Sequence, residues 1–197
     1  MSYLDKIKSR DELKKIIERE KKLGKTIVQC HGCFDLLHPG HIRHLAFAKE
    51  QGDILAVSVS ADRVVQKGYG RPYIPEELRA ENLAAIESVD YVCIDDGLSG
   101  EEILTLFKPD IYVKGKEFEH DYTGRIGRER KLVQSYGGKM AFSPDDVVYS
   151  STYIIKNFRD KINVDDEKLK ILCKRHNISL EKLFQIMNEY RNQNIEE

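Results

Sequence analysis

Short apolar, β-branched runs recur along this chain: Thr26 to Cys30, Asp53 to Ser60, Tyr91 to Ile94, Ile111 to Lys114 and Lys139 to Phe142. Every interval between them is long enough to hold a helix. Strands that alternate with helices in this way are joined by crossovers, which makes them parallel and places helices on both faces of one sheet. The expected fold is therefore α/β, a Rossmann-like doubly wound parallel sheet, followed by a C-terminal helical extension.

The intervals carry their own signals. Ser9 and Glu12 form a capping box, and Leu13, Ile16, Ile17 and Leu23 recur at helical spacing until Gly24, so an N-terminal helix is expected over 9–23. Ile42, Leu45 and Ala46 mark a face of a second helix, beginning near His41 and ending near Gly52. Pro75 suits the first turn of a third, with Leu78, Asn82, Ala85, Ile86 and Val89 along one side. Ser99 and Glu102 read as another capping box, before a helix that Pro109 stops. A further helix ends at Gly137 and Gly138, and a last one is opened by Ser150, Ser151 or Thr152. Beyond about residue 160 the pattern changes to amphipathic helices over 165–175 and 179–192. The domains expected are thus 1–160 and a helical arm, 161–197.

The chemistry is concentrated in Gly32-Cys33-Phe34-Asp35-Leu36-Leu37-His38-Pro39-Gly40-His41, directly after the first strand. Ligands of doubly wound sheets bind at the carboxyl ends of the strands, and a helix that starts there offers unpaired amides to an anion. Two histidines flanking Pro-Gly add side-chain donors to the same place, as a bound polyphosphate requires. The polar loop from Gln66 to Pro72 brings Lys67 and Arg71.

Composition narrows the partners. With 32 basic and 33 acidic residues there is no overall field to attract nucleic acid or an anionic membrane, so phosphate must be held by local groups. No apolar run approaches the roughly 18 residues of a membrane span, and the N-terminus carries no hydrophobic signal region, which implies a cytoplasmic protein. Cysteines 30, 33, 93 and 173 are too few and too uneven for a disulfide framework and read as thiols. Cys30 and Cys33 have C-x-x-C spacing, but no second ligand pair completes a zinc site, so no metal ligands are assigned. The segment from Cys173 to Phe184 resembles a helix-turn-helix, yet it is neutral and poor in phosphate contacts, so no nucleic-acid partner is expected.

The frame G-x-F-D-x-x-H-x-G-H resembles the signature of the nucleotidylyltransferase superfamily. The likeness continues through Asp62, Lys67-Gly68, Arg71-Pro72, Pro75 to Arg79, Val89-Asp90, Pro109-Asp110, Val113-Lys114-Gly115, Gly137-Gly138 and Ser150-Ser151-Thr152, in the order of the cytidylyltransferase-like branch. Within that branch the chain is most similar to the nucleotidyltransferase domains of ADP-heptose synthases, and next to the glycerol-3-phosphate cytidylyltransferases. The cytidylyltransferases carry R-T-E-G-I-S-T where this chain has residues 146–152, and the arginine is absent.

The resemblance implies transfer of a nucleoside monophosphate from ATP or CTP to a sugar phosphate or polyol phosphate, with Mg²⁺ bridging phosphates and pyrophosphate released. His38, His41 and Lys67 would be catalytic. Gly32, Cys33, Phe34, Asp35, Gly40, Lys114, Gly115, Ser150, Ser151 and Thr152 would hold the nucleotide. Arg71 and Arg79 are candidates for phosphate, although Arg79 could equally pair with Glu76 on its own helix. A homodimer and a fused or paired sugar kinase are further implications. The alternatives are an FMN- or NMN-type adenylyltransferase and a non-catalytic nucleotide-binding regulatory module.

Overall fold

The structure, a computed structural model, describes residues 2–66 and 71–144, together with residues 173, 179 and 182. The chain divides into two compact units, Met1–Ser151 and Thr152–Glu197. In the first, five strands form one all-parallel sheet in the order β3-β2-β1-β4-β5. They are β1 (Ile27–Gly32), β2 (Ile54–Ser60), β3 (Tyr91–Asp95), β4 (Ile111–Gly115) and β5 (Lys139–Ser143). The α/β doubly wound architecture expected from the alternation is the one observed.

The helices are α1 (Arg10–Lys22), α2 (Pro39–Glu50), α3 (Glu76–Ala84), α4 (Gly100–Phe107) and α5 (Gly124–Ser135). The chain leaves β1 in one direction, through α2 and α3 to β3, then returns past β1 to β4 and β5. Right-handed crossovers therefore put α2 and α3 on one face, and α4 and α5 on the other. Where the direction reverses, between β1 and β4, their carboxyl ends frame the crevice in which such sheets bind ligands.

Side-chain alternation along the strands separates two cores. Val28, Cys30, Leu55, Val57, Val59, Val92 and Val113 pack with Leu45, Leu83 and Ala84 on the α2/α3 face. Ile27, Ala56 and Cys93 pack on the opposite face with Leu13 and Ile17 of α1 and with Ile103 and Phe107 of α4. The N-terminal helix forms as its capping box dictates, with Ser9 and Glu12 exchanging hydrogen bonds and Gly24 at a φ of 79° as the stop. Three aspartates secure the amino edge of the sheet: Asp53 accepts from the Thr26 amide, Asp90 from Leu55 and Asp110 from Ile27.

Three expectations are corrected here. The helix after the histidine loop starts at Pro39, with His38 as its N-cap, so that proline occupies the position where no amide is needed. Ser99 precedes α4 without any side-chain cap bond, because Glu102 turns instead to the Leu98 amide at 3.1 Å. On α3 the buried side is Arg79, Ala80, Leu83 and Ala84, while Leu78 is 50% exposed. The apolar residues alone misplaced that face, because an arginine lies at its centre.

The last helix expected from 150–152, and the pair over 165–175 and 179–192, lie outside the described residues. Cys173 is helical, and Ser179 Oγ accepts from the Lys182 amide at 3.2 Å, the bond of a helix cap. Among the described residues no helix is long and apolar enough to cross a membrane.

The corrected face of α3 is open to measurement. Leu83→Ala, at a site with no exposure, is expected to lower stability by about 2–5 kcal/mol. Leu78→Ala should stay within roughly 0.5 kcal/mol of wild type. Urea denaturation of the two variants side by side decides it, and equal losses would contradict the assignment.

Candidate active site

The first-strand loop is held in place before any ligand is considered. Phe34 adopts a left-handed conformation, with a φ of 48°. Such a residue costs about 1–2 kcal/mol unless its surroundings compensate. Here the ring is 7% exposed and joins the α2/α3 core. Gly32 gives it room, since a Cβ there would stand 3.3 Å from the ring. Above it lies His41, whose ring centre is 5.3 Å away, and His38 stacks on His41 at 3.9 Å. Phe34, expected at the nucleotide, is thus a buried support for the histidines.

Asp35 fastens this loop to the segment before α3. Its carboxylate is almost fully buried, accepts from the Tyr73 and Ile74 amides at 2.8 and 3.1 Å, and pairs with Arg71 Nε at 2.6 Å. Arg71 also lies over the Tyr73 ring at 5.1 Å, and its Nη2 is a buried donor that engages nothing among the described residues. Arg71 therefore stands beside the histidine loop, as a phosphate contact requires.

Arg79 does something else. It is wholly buried and donates to the carbonyls of Ile74 (2.8 Å), Ser60 (2.7 Å) and Cys33, and its Nη2 meets Asp62 Oδ1 at 2.5 Å. Glu76, its expected partner, bonds instead to the Asp62 amide. Neither the phosphate contact nor the Glu76 pair survives, because every side of the guanidinium is committed to tying three loops together.

The expected amide donors are also accounted for internally. His38 Nδ1 accepts from the Gly40 amide at 3.2 Å, and the His41 amide bonds to the His38 carbonyl at 2.9 Å. A ring nitrogen that accepts carries no proton, so His38 is neutral with its hydrogen on Nε2. Partial burial lowers its basicity further. The donors at this helix start are therefore imidazole N–H groups aided by the helix dipole, not backbone amides.

A second set of polar groups lines the carboxyl half of the sheet on the α4/α5 face. Gln29 and His31 of β1 both reach Ser58 Oγ, at 3.1 and 3.0 Å, and His31 Nδ1 lies 3.8 Å from Asp95 Oδ2. Lys114 sits at the end of β4, 5% exposed, with Gly115 following it. On the other face, His44 of α2 bonds through Nδ1 to Ser143 Oγ at 2.7 Å. Burial, aided by the Lys114 charge, pushes the His44 pKa down to about 4 and that of His31 down to about 3. Burial pushes the Cys30 thiol up to about 12, so it stays protonated. Among the described residues no group of three or more His, Cys, Asp or Glu could hold a metal ion.

The structure thus gathers Gly32, Cys33, Phe34, Asp35, His38, Gly40, His41 and Arg71 at the end of β1, and places Lys114 and Gly115 at the end of neighbouring β4. Lys67, Ser150, Ser151 and Thr152 lie outside the described residues. The row of Gln29, His31, Ser58 and Asp95 was not foreseen as a unit, although two polar residues on one face of an apolar strand were a visible signal.

A cytidylyltransferase-like family model matches residues 29–157. The bifunctional protein HldE of Syntrophotalea carbinolica is 38% identical over 163 residues, covering 82% of this chain and 32% of that protein. HldE of Pelobacter propionicus is 44% identical over 137 residues, covering 68% and 27%. The chain therefore spans about a third of the length of these curated relatives. Among solved structures, a lipopolysaccharide core biosynthesis protein from Thermoplasma volcanium is 25% identical, with a TM-score of 0.51, covering 62% of this chain and all of that one. A pantoate-beta-alanine ligase from Francisella tularensis shares the fold at 18% identity, with a TM-score of 0.57 and coverage of 93% and 85%.

The two buried histidines generate a pH prediction. Both are less basic folded than unfolded, so the unfolded chain binds more protons below the ordinary histidine pKa of 6.5. Their contribution is complete above that pH and is lost as pH falls toward about 4 for His44 and 3 for His31. Between pH 7 and 5 each should remove roughly 2 kcal/mol. In urea melts at the two pH values, His44→Gln is expected to lose roughly 2 kcal/mol less than wild type between pH 7 and 5.

Proposed function

The chain belongs to the cytidylyltransferase-like family, a family of nucleotidyltransferases, and on that premise we propose that it transfers a nucleoside monophosphate from ATP or CTP to a sugar phosphate or polyol phosphate. The observation that carries this reading is the stacked pair His38 and His41, 3.9 Å apart at the start of α2, beside the crevice between β1 and β4. The similar structure named for lipopolysaccharide core biosynthesis supports a carbohydrate acceptor.

In this reading an oxygen of the acceptor phosphate attacks the α-phosphorus in line. The new O–P bond forms as the bond to the β-phosphate oxygen breaks, and pyrophosphate leaves with the electron pair. No covalent enzyme intermediate is needed, so catalysis consists of placement and charge stabilisation. His38 donates through Nε2, fixed in that tautomer by the Gly40 amide. His41 donates beside it, held in register by Phe34. Arg71, anchored by Asp35, and Lys67 neutralise the leaving phosphates. Lys114 and Gly115 meet the base and ribose, and the hydroxyl residues Ser150, Ser151 and Thr152 are the further candidates for the triphosphate.

Mg²⁺, when bound, would supply neutralisation of phosphate charge. Among the described residues no group of three or more His, Cys, Asp or Glu would hold it, and the Asp35 oxygens are engaged by Arg71 and two amides. A homodimer in the cytoplasm, paired with a sugar kinase that phosphorylates the acceptor, completes the proposal.

The test is pyrophosphate release from each NTP with Mg²⁺ and a panel of phosphorylated sugars, polyols, FMN and nicotinamide mononucleotide. Release with a sugar or polyol phosphate is expected, and release confined to FMN or the mononucleotide would transfer the protein to the adenylyltransferases. His41→Ala should lower turnover by roughly two to three orders of magnitude, the scale of losing one preorganised donor. A variant within twofold of wild type would remove His41 from the mechanism.

A further inference from the structure

Lys114 is an unusual place for a charge. It ends β4 with its side chain 7% exposed, and its Nζ lies 5.0 Å from the centre of the Tyr112 ring and 5.8 Å from that of Phe118. Among the described residues, six ionisable groups act on it electrostatically. Glu129 and Arg125 come from α5, Tyr112 from β4, Cys30 and His31 from β1, and His44 from α2. Burial keeps His31 and His44 neutral, leaves the Cys30 thiol protonated, and holds the Tyr112 hydroxyl well above its ordinary pKa. Burial lowers the Lys114 pKa below its ordinary value, the Glu129 carboxylate opposes that shift, and Arg125 adds repulsion. Glu129 is the one carboxyl group of the six.

Its own position is fixed through one carboxylate oxygen, Oε2, while Oε1 has no hydrogen bond among the described residues. Glu129 is fully buried, with Oε2 3.2 Å from Lys114 Nζ and 3.2 Å from the Tyr112 hydroxyl, which donates to it. Oε1 lies 3.5 Å from Arg125 Nε and faces Gly100 at the start of α4, where a Cβ would approach it to 2.8 Å. The absent side chain at Gly100 lets the carboxylate sit against the positive end of that helix. A buried amine without a counter-charge gives up its proton, and one beside a carboxylate keeps it.

We propose that Glu129 is a positioning residue that holds the Lys114 ammonium charged and aimed at the nucleotide, at the carboxyl end of β4. The proposal rests on the nucleotide reading above. An ammonium has three N–H donors, so the bond to Glu129 leaves two for base and ribose oxygens. The carboxylate touches no substrate and acts through the lysine alone.

The test compares wild type with Glu129→Gln in two measurements. The Lys114 amine is titrated by side-chain NMR in the nucleotide-free chain, its signal assigned from its loss in Lys114→Arg. The variant midpoint is expected at least about one pH unit lower. Equilibrium binding of ATP and CTP is expected to weaken roughly tenfold at pH 9, where the unpaired amine has lost its proton, and less than about twofold at pH 6.5. An unmoved midpoint, or the same loss of binding at both pH values, overturns the proposal, since a merely structural role weakens binding without regard to pH. Should Glu129→Gln not fold, Glu129→Asp carries the test: the charge is retained at longer range, so the midpoint falls by less in the same direction, and an unchanged midpoint again overturns it. A wild-type chain that binds neither nucleotide would sink the nucleotide reading, whereas the NMR midpoint still decides the pairing, so the two failures are told apart.

Discussion

The carboxyl edge of this sheet is closed by one guanidinium. Arg79 donates to backbone carbonyls of the loop after β1, the end of β2 and the segment before α3, and pairs with Asp62. Loop carbonyls buried without partners would each cost on the order of 1–3 kcal/mol, so three such loops cannot stay folded against one another unless a donor stands among them. Only arginine offers several N–H groups in one rigid plane. The rest of the site follows from that closure. The Cys33 carbonyl is fixed, Phe34 is turned into the core behind it, and His41, with His38 stacked on it, packs against Phe34. Asp35, next in sequence, then reaches the two amides before α3.

The fold was legible because its determinants are local and periodic. Apolar runs announced the strands, and Ser9, Glu12, Gly24 and Pro109 punctuated the helices. What failed at this level failed for a shared reason. On α3 the buried side is centred on Arg79, a residue that a hydrophobic pattern assigns to solvent, and at Ser99 the anticipated cap lost to a competing bond from Glu102 to Leu98. Both depend on partners distant in sequence or on choices between equivalent local bonds, and neither is written in residue type.

The candidate site was legible as a place more than as a mechanism. The histidine motif located the crevice, yet the expected donors, free amides at a helix start, are consumed by His38 itself. Asp35 was ambiguous in sequence and is resolved by Arg71, Tyr73 and Ile74, thirty-six to thirty-nine residues away. The buried row on the other face is legible only after register is known: His31 stands directly opposite Ser58 in the pairing of β1 with β2, and Asp95 ends the next strand. Glu129 left no trace at all, since an acidic residue on a highly charged helix looks like a solvated one.

The family model starts at residue 29, inside β1, and so excludes α1. Yet α1 supplies Leu13 and Ile17 to the core over β1, β2 and β3, and Arg10 ties its first turn to Asp95 at the site edge, at 3.3 Å. The boundary of the family signature and the boundary of cooperative folding therefore do not coincide. A segment cut where the family signature begins would leave Ala56, Cys93, Ile103 and Phe107 facing water, a patch of the kind that drives aggregation. The smallest piece that can be moved between proteins as a working part includes the helix that the family signature leaves out.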